Sequence, residues 1–146
     1  MSEKEIWATR PTPELLNSIS ENSMAGHLGI EFLQVGSDFI RARMPVDSRT
    51  QQPLGVLHGG ASATLAESMG SIAGAFCVDF EKKYVAGLEI NCNHVRSVRE
   101  GFVYGTARPI HLGNSTQIWD IRILDKDDKL ICISRLTLAV LEQKGE

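Results

Sequence analysis

The stretch from residue 58 to about 78 constrains the fold more than any other part of the chain. It holds no proline, small residues dominate it, and its apolar residues recur at helical spacing. Leu65, Met69, Ile72 and Phe76 fall within about 60° of one another at roughly 100° per residue. This predicts one long helix with a buried stripe. The chain on either side reads as extended. Segments 27–35 and 39–46 precede the helix and are separated by Gly36-Ser37-Asp38. Segments 84–96, 102–111, 117–124 and 130–141 follow it. Their breaks, Arg99-Glu100-Gly101, Leu112-Gly113-Asn114 and residues 125–129, suit hairpin turns. They are too short for the crossovers that parallel strands require. The pattern therefore predicts an α+β fold, in which a curved antiparallel sheet of about six strands wraps one long central helix.

A shorter helix precedes the sheet. Thr12 can cap it, Pro13 suits its first position and Glu14 its first turn. Leu15, Leu16 and Ile19 give it one apolar face, and it should end near Ser23. Residues 47–57, with Pro53 and Gly55, read as a loop, and residues 1–12 as a loosely held N-terminal arm. A chain of 146 residues fits a single domain, 1–146.

The bulk numbers narrow the class. A formal net charge of −3 leaves no nucleic-acid footprint. Cys77, Cys92 and Cys132 are odd in number and show no zinc-ligand spacing, so neither a disulfide framework nor a metal site is expected. The N-terminus MSEKEIWATR has no apolar core of a signal peptide, and no apolar run is long enough to cross a membrane. A cytoplasmic protein is the expectation.

Opposite its apolar stripe the long helix carries Gly60, Ala63, Glu67, Gly70, Ser71 and Gly74. Glycine inside a helix costs about 1 kcal/mol relative to alanine, so some close approach must offset the loss. One carboxylate, Glu67, stands in the middle of this face, and Ser71 follows one turn later. The helix begins at Gly59-Gly60, where its first amides lack internal partners and lie at the positive end of the dipole. Such amides can stabilise an oxyanion. Glu67 lies about 12 Å along the axis from Gly59 at 1.5 Å per residue, too far to share one carbonyl. Two helices packed antiparallel, start against middle, would join them. The chemistry thus predicts a dimer with shared sites.

Several segments carry a family resemblance over residues 6–141. They are Met44-Pro45-Val46-Asp47, Gln52-Pro53-Leu54-Gly55-Val56-Leu57-His58-Gly59-Gly60-Ala61-Ser62, Leu65-Ala66-Glu67-Ser68, Gly87-Leu88-Glu89-Ile90-Asn91, His94, His111-Leu112-Gly113 and Ser134-Arg135-Leu136-Thr137. Together they resemble the hotdog-fold thioesterases of the aryl-CoA branch. That branch includes bacterial 1,4-dihydroxy-2-naphthoyl-CoA thioesterases of menaquinone synthesis and a proofreading thioesterase of enterobactin synthesis. The resemblance implies hydrolysis of an acyl-CoA, foremost an aroyl-CoA, by a homodimer assembled into a homotetramer. No metal or organic cofactor is implied, CoA being part of the substrate. It leaves open an acyl or aryl carrier protein as the thiol carrier.

The resemblance also implies roles. Glu67 matches the nucleophile or general base, and Gly59 the backbone oxyanion donor. Gln52 and His58 match residues that orient the thioester from the partner subunit. Ser71 matches the hydroxyl that positions water or the leaving group. His94 matches a wall of the acyl pocket, and Gly60, Ser68 and Met69 complete the substrate-binding set. Relatives commonly place a basic residue where Asn114 stands; if that side chain serves the CoA phosphates, this chain holds CoA more weakly or uses other residues. Arg96 and Arg135 are the foremost choices, with Arg99 and Arg108 beside them. A hotdog hydratase would pair Asp with His on the helix, and no His follows Glu67 there. A non-catalytic acyl-CoA sensor of the kind fused to DNA-binding segments would need a basic extension that this sequence lacks.

Overall fold

A computed structural model describes residues 3–145. Thr12 Oγ1 accepts a hydrogen bond from the Leu15 N–H (3.2 Å) and opens helix α1, Pro13–Ser20, with Pro13 at its first position. This helix stops short of Ser23, because the Ser23 hydroxyl and N–H both donate to the Ser20 carbonyl and close a turn. A second short helix, α2, spans Met24–His27. Its last residue and the turn over Leu28 and Gly29 replace the first part of the extended segment expected over 27–35. Gly29, at φ 76°, turns the chain out of the helix, and strand β1 begins only at Glu31.

Strand β1 (Glu31–Val35) pairs antiparallel with β2 (Ile40–Pro45), as the break at Gly36-Ser37-Asp38 predicts. The long helix α3 spans Gly59–Phe76. Strands β3 (Lys83–His94), β4 (Phe102–Leu112), β5 (Thr116–Leu124) and β6 (Leu130–Glu142) follow. All pairings are antiparallel, in the order β1-β2-β4-β5-β6-β3. Helix α3 lies across the sheet and touches β2, β3, β4, β5 and β6. Leu65, Ala66, Met69 and Ala73 of α3 are buried against Met44, Val103, Ile121, Ile123, Leu136 and Leu138.

The glycines of α3 admit the sheet. A methyl group on Gly70 would lie 2.5 Å from Leu136 Cδ2, and one on Gly74 2.5 Å from Leu138 Cδ1. The close approach offsets their low helix propensity, and its partner is the sheet rather than a ligand. Gln117 and Trp119 complete this contact. The Gln117 side-chain amide donates to the Gly74 carbonyl (3.2 Å), and its oxygen accepts from Trp119 Nε1 (3.0 Å).

Within the described part of segment 1–12, the expected loose arm is fastened instead. Trp7 is buried and its Nε1 donates to the Gly36 carbonyl (2.7 Å). The Ile6 N–H donates to the Ser37 carbonyl, and the Ala8 N–H to the Phe76 carbonyl at the end of α3, both at 3.0 Å. A helix leaves its last carbonyls without internal partners, and the arm satisfies one of them.

Strand β3 forms one edge of the sheet. Among the described residues nothing pairs with its other side.

Candidate active site

The loop before α3 is anchored at both ends. Thr50 is buried, its hydroxyl donates to the Pro45 carbonyl (2.7 Å), and its carbonyl accepts from the His58 N–H (2.8 Å). The Leu57 N–H donates to the Val98 carbonyl (2.8 Å). These bonds set the angle at which α3 enters the sheet.

His58 caps the helix. Its Nδ1 accepts from the Gly60 N–H at 2.7 Å, so that amide is occupied. The carbonyl of His58 accepts from the Ala61 and Ser62 amides. Among the described residues nothing accepts from the Gly59 N–H. Gly59 thus presents a free donor at the positive end of an 18-residue helix. It packs against His94 of β3, where an added methyl group would lie 2.9 Å from Nε2. Any side chain at this position would displace the imidazole.

A cavity of about 370 Å³ opens at this helix start. Gln52, Gly59, His94 and Arg96 line it, together with Leu57, Ser62, Val95, Ser97 and Ile131. Gln52 Oε1 accepts from the Leu54 N–H, which leaves the amide nitrogen free to donate to a guest. Sequence reasoning misses Leu57, Ser62, Val95, Ser97 and Ile131; among them Ser62 is a buried polar group, only 1% exposed. Its signal is present, since it stands three positions after Gly59 on the same helix face. His58 and Gly60 line a separate cavity of about 320 Å³ with Met24, Leu28, Arg49 and Thr64.

Glu67 stands farther along α3, over the edge strand. It is exposed in the single chain, and its Oε1 would lie 3.1 Å from a methyl group placed on Gly87. Ser71 is half-buried one turn on, and no hydrogen bond joins it to Glu67. Ser68 is also half-buried. Neither Glu67 nor Ser71 lines the cavity at the helix start.

Two assignments need correction. Met69 belongs to the core and not to the substrate-binding set. It is 0% exposed, and its thioether fills the space above Gly105. Arg135 pairs across the sheet with Asn91 and Asp120, and is exposed between the buried Ser134 and Leu136. Alternation along a strand therefore puts it on the sheet face opposite α3. Arg108 is held by Asp38 (2.8 Å) and stacks on Phe39. Of the four arginines considered for phosphate contacts, Arg96 alone lines the cavity with Gly59.

Two of the three cysteines are poor nucleophiles. Burial pushes the Cys77 and Cys132 thiols up to about 12. Cys92 Sγ donates to the Ser134 hydroxyl, 3.4 Å away. Among the described residues no three His, Cys, Asp or Glu side chains group as metal ligands, and no helix is long and apolar enough to cross a membrane.

Comparison with known proteins places this geometry. Residues 54–132 match the thioesterase superfamily model. The chain is 55% identical over 136 residues to 1,4-dihydroxy-2-naphthoyl-CoA hydrolase of Escherichia coli K12, covering 93% of this chain and 99% of that protein. It is 46% identical to the proofreading thioesterase EntH of Cronobacter turicensis, covering 93% and 98%. A crystal structure of a mutant thioesterase from Pseudomonas aeruginosa superposes with a TM-score of 0.93 at 49% identity, covering 95% of this chain and all of that one. A six-stranded antiparallel sheet around a central helix, a free amide at that helix's start and relatives that match end to end lead to one assignment: the chain belongs to the hotdog thioesterase superfamily and is a thioesterase.

Proposed function

We propose that this thioesterase hydrolyses an aroyl-CoA of the 1,4-dihydroxy-2-naphthoyl type to the free acid and CoA, with Glu67 as the catalytic carboxylate. One observation carries the reading. The inner side of the free edge strand β3 meets Glu67 at Gly87 and Gly59 at His94. Suppose a second copy pairs antiparallel along β3, about a two-fold axis at Asn91, with Leu88 bulged out of the count. Gly87 of each copy then lies opposite His94 of the other. The carboxylate of one protomer approaches the free amide of its partner, which the separation along a single helix forbids. Two such dimers would form the homotetramer that the resemblance implies.

In the proposed site the thioester carbonyl accepts from the Gly59 N–H, and the Gln52 amide donates beside it. Removing an oxyanion donor of this kind typically costs roughly 3–4 kcal/mol of barrier height. Glu67 attacks the carbonyl to give an anhydride that water cleaves, or removes a proton from the attacking water. In either route the thiolate of CoA leaves and one water is consumed. No metal or organic cofactor takes part. His58 caps the helix and so aims the Gly59 amide, while Ser71 and Ser68 flank Glu67. Arg96, at the mouth of the cavity, holds the CoA phosphates. A reducing cytoplasm suits the three unpaired cysteines.

A panel of benzoyl-, dihydroxynaphthoyl- and straight-chain acyl-CoA substrates, followed by thiol release, tests the acyl preference. The aroyl substrates should lead in kcat/KM, and a straight-chain substrate in the lead would overturn the assignment. The similarity to EntH supports a second reading, in which the thiol belongs to a carrier protein. An aryl carrier-protein thioester hydrolysed faster than every CoA thioester would favour it.

Shared sites predict complementation. Gln52→Ala and Glu67→Ala proteins should each be nearly inactive. Mixed and allowed to exchange subunits, they should recover about a quarter of wild-type activity, because half of the dimers then hold one intact site. No recovery after confirmed exchange would place both residues in one protomer's site.

A further inference from the structure

Strand β3 carries a bulge directly beneath Glu67, and the proposed chemistry gives it no role. The register runs Gly87↔Leu138, Glu89↔Thr137 and Ile90↔Leu136. Leu138 and Leu136 are both buried under α3, so Gly87 and Ile90 both face inward and Leu88 is the extra residue. A strand of strict alternation would turn Glu89 inward after Gly87. That would set a second carboxylate beside Glu67. The bulge keeps Glu89 exposed, where it accepts from the Asn91 side chain (3.0 Å).

The backbone does not require glycine at position 87, which is absent from the residues of positive φ. Packing against the sheet does not require it either. The single heavy atom within 4 Å of an added methyl group is Glu67 Oε1, at 3.1 Å. Glycine in a strand normally weakens it and marks a close approach. Here the approaching group is the carboxylate. We infer that Gly87 is a positioning residue whose bare Cα reserves the space in which the Glu67 carboxylate lies. The bulge and the missing side chain act together, one excluding a rival carboxylate and the other leaving Glu67 room. This inference rests on the proposed role of Glu67.

The test is Gly87→Ala in the full chain, measured beside Glu67→Ala and the double variant. A methyl group at 3.1 Å forces the carboxylate to shift by a few tenths of an ångström. Since a misplacement of about 1 Å can cost on the order of a hundredfold, kcat should fall about tenfold. KM should stay within about twofold, as expected for an interaction made only in the transition state. The unfolding temperature should hold or rise, because alanine narrows the unfolded ensemble. The assembled mass should not change. With Glu67 already removed, the same methyl group should alter residual turnover by less than about twofold, because the two residues act as one unit. Full kcat in Gly87→Ala beside an inactive Glu67→Ala would overturn the role of Gly87 alone. Substantial turnover in Glu67→Ala would overturn the reading of Glu67 itself. Failure of Gly87→Ala to fold or assemble, or an equal loss in both backgrounds, would mean that Gly87 serves the scaffold, and the inference would fall.

Discussion

Glu67→Ala should lower kcat by on the order of a hundred- to ten-thousandfold, the range of a positioned proton-transfer group. The fold should remain. Glu67 is exposed on α3 and makes no hydrogen bond to another described residue, and alanine is the better helix former. Binding of CoA should persist, since the proposed phosphate contact, Arg96, lines the cavity at the helix start and Glu67 of the same chain does not. Thiol release and circular dichroism on one preparation check both halves. A variant that keeps more than a tenth of wild-type turnover removes Glu67 from the mechanism. Glu67→Asp discriminates less, because a shorter carboxylate still reaches a carbonyl through water.

The largest effect on stability is expected at Trp119. It is 0% exposed, and it donates to the oxygen of Gln117 while the amide of Gln117 donates to the Gly74 carbonyl of α3. Trp119→Ala removes the indole and leaves a cavity, a change that typically costs about 3–5 kcal/mol. Trp119→Phe keeps most of the volume but strands the Gln117 oxygen, at a cost of about 1–3 kcal/mol. Denaturant unfolding should therefore rank wild type, Trp119→Phe and Trp119→Ala in falling order. An alanine variant within about 0.5 kcal/mol of wild type, on the scale of ordinary surface changes, would show that the sheet repacks around the gap.

The strands after α3 are legible to within a residue or two because period-two patterning and turn residues agree there. Gly101, at φ 80°, and Asp128, at φ 61°, sit in two of the breaks read from the sequence. The Asp125 carboxylate accepts from the Asp127 and Lys129 amides, which hold it below the usual carboxylate range and close the last of these turns. Helix α2 escapes notice because four residues show no periodicity. The N-terminal arm looks loose because its anchors are backbone groups distant in sequence, at Gly36, Ser37 and Phe76. Local pattern carries no trace of such bonds.

The site divides in the same way. Helical spacing puts Glu67 and Gly59 on one rod and makes their separation computable from residue numbers alone. The same spacing places Met69 on the buried stripe, where it is found, and the family motif wrongly draws it into the substrate set. Arg135 fails for a different reason. A motif says that an arginine stands on a strand, but not which face it takes once β6 is paired on both sides.

The bare edge of β3 has a cost outside catalysis. Proteins commonly blunt such edges with proline, charge or short length, since a row of unpaired backbone groups templates any extended chain. β3 runs for 12 residues without proline, and Leu88 is 62% exposed in its middle. A newly synthesised chain that has not yet met its twin thus carries an adhesive margin. Substitutions that weaken that encounter will first be noticed as inclusion bodies and poor yield, before any slowing of chemistry is measured.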